Sequence, residues 1–307
     1  MRLAYTADLH GDIGSYHALL ELAVASGARV AIVGGDLFPH TPRLQDAIRR
    51  QRDFVEQALG PLLAAFHVRH PEVRVYLLPG NDDWAAAAAA LAELEAAGLA
   101  HTLHERVYEL APAPSASGAH VGAGRAAEVG AGLWLAGYAC VPPTPFSIKD
   151  YERRDDGPLP AFSFAMAYTS AGGAIVPTSA VQLAALPSIA EALEALARQS
   201  DPARTVYVCH TPPFDTPLDA MPRGRHVGSR ALRAFVERHT PPLTLHGHIH
   251  EAPEVSGQYA VRLGRTWCIN PGHDRRRFHA VTLDTDDIEG TISHTVFGRP
   301  ASGGLSF

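Results

Sequence analysis

Five short segments place metal-ligating side chains just past apolar runs: Asp8-Leu-His10, Gly35-Asp36, Gly80-Asn81-Asp82, Cys209-His210 and Gly247-His248-Ile-His250. Each segment alone is ordinary. Asp-x-His is common, Gly-Asp makes turns, and Asn closes Asx turns or caps helices. Together they offer carboxylates, imidazoles and one amide oxygen, a mixture that suits Mn²⁺, Fe or Zn²⁺ better than Ca²⁺ or Mg²⁺. The donors are Asp8, His10, Asp36, Asn81, His210, His248 and His250, too many for one tetrahedral ion. Two ions roughly 3.5–4 Å apart, sharing one carboxylate, would use them all. Residues i and i+2 of an extended chain share a face. Asp8 with His10, and His248 with His250, therefore read as pairs that grip one cation as the chain leaves a strand.

The elements that must position these groups follow from periodicity. Leu3 to Ala7, Val30 to Val33 and Val73 to Leu78 are short apolar strands. Helical spacing predicts helices over Ser15 to Ser26 with Gly27 as the stop, over Arg43 to His70 with a break at Gly60-Pro61, and over the alanine-rich stretch Trp84 to Ala97. This alternation predicts a parallel sheet with buried strands. Residues 111–132, rich in Ala, Gly, Pro and Ser, read as a hairpin or loop, and Leu133 to Tyr138 as a strand. Residues 141–181 show little periodicity and carry a charged run from Lys149 to Asp156. Thr205 to Cys209 and Leu243 to Leu245 are further strands, with helices at Ile189 to Gln199 and Ser229 to Arg238. Thr266 to Ile269, Ala280 to Leu283 and Thr291 to Phe297 close the chain as strands. Ligands of open α/β sheets collect beyond the C-terminal strand ends, and Asp8, Asp36, Asn81, His210 and His248 all follow such ends.

The 307 residues fit one α/β domain over 1–307 with an insertion or cap at about 141–181. A hydrophobic share of 46% and a charged share of 19% describe a globular chain. The net charge of −6 provides no basic field for long duplex nucleic acid, although bound metals supply positive charge locally. Cys140, Cys209 and Cys268 each sit in an apolar run and read as buried hydrophobes, which implies no disulfide framework and suits a reducing compartment. The chain opens directly on a strand, and no apolar run reaches the roughly 18 residues of a membrane span. The expectation is a cytoplasmic protein without a membrane partner.

The five segments, in this order, resemble the calcineurin-like metallophosphoesterases over nearly the whole length, from Asp8 to the Asn270-Pro-Gly272 turn. The likeness is greatest to the bacterial and archaeal branch grouped with Icc-type phosphodiesterases, through Gly137-Tyr138, Pro142 to Pro145, Lys149-Asp150, His210-Thr-Pro-Pro213, His226-Val-Gly-Ser229 and Gly247 to Glu251. The resemblance implies a four-layer α/β/β/α sandwich with mixed sheets. It implies that Asp8, His10 and His250 hold one metal, that Asn81, His210 and His248 hold the second, and that Asp36 bridges them. It also implies that a metal-bound hydroxide attacks phosphorus in line.

One position departs from the pattern. Most of the family carries His after the Asn, and that His is thought to stabilise the transition state or protonate the leaving group. Here Asp82 and then Asp83 follow Asn81. Two nearby cations favour an ionised Asp82, whereas a general acid needs the opposite shift. A carboxylate there also repels a monoester dianion more than a diester monoanion. Asp82 and His226, which precedes an apparent helix start, are the two candidate catalytic residues beyond the ligands. In the insertion, Tyr151, Phe162, Phe164 and Tyr168 are candidates to stack on a base, and Lys149, Arg153 and Arg154 to meet phosphate. The Arg275-Arg-Arg277 run reads as a solvated turn, with phosphate contact as its second reading. His17, His40, His67, His70, His101, His104 and His239 lack ligand context, and His246 faces away from the motif. The expected function is a phosphohydrolase with two divalent metal ions, Mn²⁺ favoured over Fe or Zn²⁺, acting on a small phosphodiester, with nucleotides among the candidates. The alternatives are a phosphomonoesterase or nucleotidase, and a non-catalytic metal-binding scaffold.

Overall fold

The computed structural model describes residues 1–40, 43–111, 132–157, 159 and 166–300. Phe162, Phe164 and most of the 111–132 segment lie outside the described residues. Sixteen strands are described: β1 (Arg2–Thr6), β2 (Val30–Gly34), β3 (Arg74–Leu78), β4 (His101–Thr102), β5 (Arg106–Ala111), β6 (Leu133–Tyr138), β7 (Tyr168–Ala171), β8 (Ala174–Pro177), β9 (Thr205–Cys209), β10 (Ala220–Met221), β11 (Arg225–His226), β12 (Leu243–Leu245), β13 (Ala260–Leu263), β14 (Thr266–Ile269), β15 (Val281–Asp284) and β16 (Ser293–His294). Two six-stranded mixed sheets are built from them, in the orders β16-β15-β1-β2-β3-β4 and β13-β14-β12-β9-β6-β5. Each has a parallel centre: β1 to β4 in the first, and β6, β9, β12 and β14 in the second. Antiparallel strands flank both centres.

Strand alternation divides the core. On β1 and β2, Leu3, Tyr5, Val30 and Ile32 join the cluster shared with the second sheet. Their neighbours Ala4, Ala31 and Val33 pack instead with Leu19, Leu20, Leu63 and Leu91 on the helices that cover the outer face. On the far side the helices Ile189–Ala197 and Arg230–His239 cover the second sheet, with Phe235 edge-on to Tyr207 at 5.0 Å. The result is the four-layer α/β/β/α sandwich that the resemblance implied. Each fully buried Leu or Ile contributes about 1.5–3 kcal/mol. Because both faces of β1 and β2 are buried, a one-residue slip would displace apolar side chains on both faces.

Several expectations change in detail. The helix Ile13–Ser26 stops at Gly27 in the left-handed region, as the pattern predicted, but starts two residues before Ser15, on an Asp12 cap. The long helix from Arg43 does not break at Gly60-Pro61. It runs as Ala47–Phe54, a wider π turn over Val55–Leu59, and Gly60–Arg69. The widened turn accommodates a proline that has no N–H and would crowd the preceding turn. The alanine-rich stretch forms two short helices, Ala85–Ala88 and Leu91–Ala96. The closing strand predicted over Thr291 to Phe297 shrinks to Ser293–His294, because a short helix capped by Asp287 occupies Ile288–Thr291.

The described part of 141–181 is ordered around two acids. Asp150 accepts from the amides of Ala85 and Ser170, at 2.9 Å each, and from the Ser170 hydroxyl, tying the β7–β8 hairpin to the helix Ala85–Ala88. Lys149 is 2% exposed, and its Nζ donates to both Glu152 oxygens, at 3.0 and 2.8 Å, and to the Thr144 carbonyl at 2.8 Å. It is thus turned inward, away from any solvent-borne phosphate. Tyr151 is part of the core, edge-on to His104. Arg153 is engaged with the carbonyls of Asp150 and Glu152, and Arg154 lies 3.7 Å from Glu191. Removing one partner of a buried pair costs about 3–5 kcal/mol. Lys149→Met should therefore lower the unfolding free energy by about 3 kcal/mol in urea titration; a change below about 1 kcal/mol would show that the pair is not structurally important.

Candidate metal centre

Five strand ends meet here. Asp8 follows β1, Asp36 follows β2, Asn81 follows β3, His210 follows β9, and His248 follows β12. Both sheets contribute, and their C-terminal edges face one another. Beyond the end of β1, the amides of Asp8, His10 and Gly11 donate to the carbonyls of Gly35, Asp36 and Leu37, so the two loops continue the ladder in step. Across the gap the Tyr5 hydroxyl donates to the His246 carbonyl at 2.8 Å, and the amide of Gly247 donates to the carbonyl of His210. The Asn270 side chain donates to the carbonyls of Leu218, Gly247 and Ile249, which clamps the loop carrying His248 and His250.

The backbone is strained where it matters. Asp8, His10, Asp36 and His248 all have positive φ, at 61°, 45°, 51° and 67°. Non-glycine residues adopt this region at a cost of order 1–3 kcal/mol each, usually at functional sites. Close approach is enforced by Gly35 and Gly80. A Cβ on Gly35 would lie 1.9 Å from His210 Nδ1, and one on Gly80 would lie 2.2 Å from Asp36 Oδ1.

The donor atoms converge. His250 Nε2 is 3.4 Å from Asp8 Oδ1 and 3.3 Å from His10 Nε2. Asp36 Oδ2 lies 3.4 Å from His210 Nε2 and 3.9 Å from His10 Nε2, between the two halves of the set. Two donors about 2.1 Å from one ion lie about 3.0–3.4 Å apart, so these spacings fit shared cations. The chemistry of the lone pairs fits as well. His210 Nδ1 donates to the Gly34 carbonyl at 2.9 Å, which fixes the ring and leaves Nε2 buried without a hydrogen-bond partner. This is how metal-ligating histidines are held. Asn81 Nδ2 donates to Asp82 Oδ1 at 3.1 Å, and Asn81 Oδ1 is likewise buried and unpartnered. The His248 ring sits 5.3 Å from that of His210, while its amide donates to both Asp8 oxygens at 3.0 and 3.1 Å.

Charge is balanced within the cluster. Burial pushes Asp8 upward, but His250 and His210 overcome it and hold the carboxyl at about 2. Burial also opposes ionisation of Asp36, yet His210, His10 and the Asp82 amide hold it well below the carboxylate range. Burial works against protonation of His210 and His250, but Asp36 and Asp8 carry each to about 9. His10 and His248 go the other way: burial dominates and leaves them at about 4 and about 3, with positive His210 adding to the effect at His248.

Asp82 stands inside the site. Its amide donates to Asp36 Oδ1 at 2.9 Å, and its Oδ2 is 3.8 Å from His10 Nδ1, itself a buried atom without a hydrogen-bond partner. Burial and then Asp36 raise Asp82 to about 7 in the absence of cations; bound cations would pull it back toward the anion. Asp83 accepts from the amides of Leu37, Phe38 and Gly80, at 2.8–2.9 Å, and so braces the Asp36 loop. His226 Nδ1 donates to buried Asp219 at 2.7 Å, and among the described contacts the ring meets none of the seven donors. His246 is satisfied at both nitrogens, by the Cys209 carbonyl and the Thr244 hydroxyl, and is no candidate ligand. His40, which sequence context left as an ordinary histidine, stacks on His10 at 4.4 Å and reaches Asp82 Oδ2 at 3.4 Å. His273 packs edge-on to both His10 and His250. Neither residue carries a sequence signal beyond lying a few residues after a Gly-containing turn.

No protein-family model and no curated protein matches the chain. Among solved structures, TT1561 of Thermus thermophilus superposes with a TM-score of 0.56 at 17% identity, over 96% of this chain and 98% of that one. A dimetal phosphatase from Danio rerio superposes at 0.50 with 13% identity, over 98% and 96%. The chain has the metallophosphoesterase fold, as its five motifs implied.

Metal ligation requires neutral imidazoles, while metal-free His210 and His250 hold protons up to about pH 9. Cation binding at pH 7 should therefore release close to two protons from these rings and a further fraction of one from Asp82, read as the dependence of calorimetric enthalpy on buffer ionisation enthalpy. Affinity should rise steeply from pH 6.5 to 9. Both folded pKa values lie above the unfolded 6.5, so the stabilisation they give is fully present below pH 6.5 and lost as pH rises through about 9. Asp82, raised to about 7, has the same sign over its own range, from about pH 4 to 7. The metal-free protein should melt at a progressively lower temperature over pH 6.5–9; an unchanged melting temperature would contradict the paired-charge arrangement.

Proposed function

We propose that this chain is a phosphohydrolase that requires two divalent cations and acts on a small phosphodiester. The observation that carries this is the convergence of donor atoms of Asp8, His10, Asp36, His210 and His250 from both sheets, together with His210 Nε2 and Asn81 Oδ1 buried and unpartnered. Asp8, His10 and His250 would hold one cation, Asn81, His210 and His248 the other, and Asp36, lying between the two halves, would serve both. When bound, the cations would supply Lewis-acid stabilisation of charge on the phosphoryl oxygens. Mn²⁺ suits the mixed nitrogen and oxygen donors.

The chain's own contribution is preorganisation. The Gly34 carbonyl sets the His210 tautomer, and the Asp8 carboxylate is fixed by the His248 amide. Asp82 is read as a positioning residue rather than a proton donor. Its Oδ2 lies 3.8 Å from His10 Nδ1, on the side of the ring where a carboxylate orients a metal-binding imidazole. The same carboxylate adds negative charge at the mouth of the site, which disfavours a monoester dianion and supports the diester reading. The dimetal phosphatase from Danio rerio with which this chain shares its fold supports a phosphoester substrate.

With Mn²⁺, the purified protein should hydrolyse bis(p-nitrophenyl) phosphate with a higher kcat/KM than p-nitrophenyl phosphate. Asp36→Ala should lower kcat by roughly a thousandfold or more. Turnover of neither ester with any divalent cation would sink the hydrolase reading, and a preference for the monoester would sink the diester part of it. Asp82→Ala should weaken Mn²⁺ binding about 10–100-fold by calorimetry; unaltered affinity would remove Asp82 from the positioning role.

A further inference from the structure

A cavity of about 600 Å³ opens beside the metal donors. His10, His40 and His250 form one wall, and the turn carrying Arg275, Arg276 and Arg277 forms another. The three arginines are not equivalent. Arg277 is neutralised: its Nε and Nη2 donate to Asp274 Oδ2 at 2.9 and 2.7 Å, and Nη2 also reaches Glu254 at 2.6 Å. The guanidinium groups of Arg275 and Arg276 make no ion pair or hydrogen bond among the described residues, and both are exposed.

The turn beneath them is fixed. Asp274 Oδ1 accepts from the amides of Arg276 and Arg277 at 2.6 and 2.7 Å, and its Oδ2 accepts from His279 at 3.0 Å. The other carboxylate in the cavity wall, Asp12, is turned to the Gly14 amide and the Ser15 hydroxyl. Both acids are thus engaged at home, and the two free guanidinium groups are left without a counter-charge. The charge of a phosphoester at the centre would be met by the cations, so additional fixed positive charge in the same cavity serves a second anionic group on the same molecule. Guanidinium groups suit phosphate through paired N–H donors.

We infer that Arg275, supported by Arg276, forms an anion subsite next to the metal centre and selects phosphoesters that carry a second phosphate beyond the one placed at the cations. This rests on the phosphohydrolase reading above and adds a substrate class to it. A nucleotide diester that also bears a terminal phosphate has this chemistry; the same diester without the terminal phosphate lacks it.

The test is binding rather than turnover. Calorimetry with Mn²⁺-loaded protein compares the phosphorothioate-linked dinucleotide ApA carrying a 5′-terminal phosphate with the same dinucleotide lacking it. The terminally phosphorylated dinucleotide should bind about tenfold more tightly, the size of one charge-assisted contact at a partly open site. The advantage should shrink at high salt. Arg275→Ala should bring the ratio close to one, and Arg275→Glu should invert it, with circular dichroism and metal content checking that each variant is folded and loaded. Equal affinities in the unaltered protein, or a ratio unchanged by Arg275→Glu, would overturn the subsite while leaving the metal-centre reading intact. If neither dinucleotide binds, the subsite is overturned, while the metal-centre reading stands or falls with turnover of the nitrophenyl esters.

Discussion

Asp8 and Asp36 are buried, and each must remain ionised to serve a cation. Removing a carboxylate from water costs several kcal/mol unless its oxygens are met by charge and hydrogen bonds. Both are met from several directions at once: Asp8 by the His248 amide and the His210 and His250 rings, Asp36 by the Asp82 amide and the His210 and His10 rings. This requirement explains the unusual backbone of the loops. The positive φ angles at Asp8, His10, Asp36 and His248 turn short connections sharply enough to bring side chains from separate strands onto the same pair of carboxylates. The surrounding sandwich, with Leu3, Tyr5, Val30 and Ile32 packed between the sheets, supplies the stability that this strain draws on.

The histidines are sorted by what holds their second nitrogen. His210 has one nitrogen committed to the Gly34 carbonyl and the other left bare toward Asp36. His246 has both committed, as does His279, which spans the Pro271 carbonyl and Asp274. His246 and His248 are near neighbours in the chain, yet one closes a seam in the backbone and the other faces the cluster. Burial alone lowers the basicity of both; the hydrogen-bond partners, not the titration behaviour, distinguish a structural imidazole from a ligand.

Much of this was legible in the residues. Apolar runs ending in Asp, Asn or His marked the edge where donors gather, and that logic needs only strand direction. Gly27 as a helix stop and Ser229 at a helix start were equally local signals. The rest depended on partners distant in sequence. Lys149 looked available for phosphate because its neutralisation by Glu152 within a buried turn has no periodic signature. The π turn before Pro61 replaces the break that proline normally makes, and depends on packing rather than composition. His40 and His273 sit on irregular connections, where spacing says nothing about direction. Asp82 was recognisable as a substitution, but its role depends on the bare nitrogen of His10, a residue from a different strand.

The two edges that meet at the centre come from chain segments separated by more than two hundred positions, as the Tyr5 to His246 hydrogen bond shows. Contacts of such range form late, because the long intervening chain must first be brought into order. A half-formed molecule, with only β1 to β3 in place, would present Asp8, His10, Asp36 and Asn81 but not the imidazoles opposite them. The candidate centre is thus complete only once the two sheets have docked, so its geometry reports on the packing of the whole sandwich.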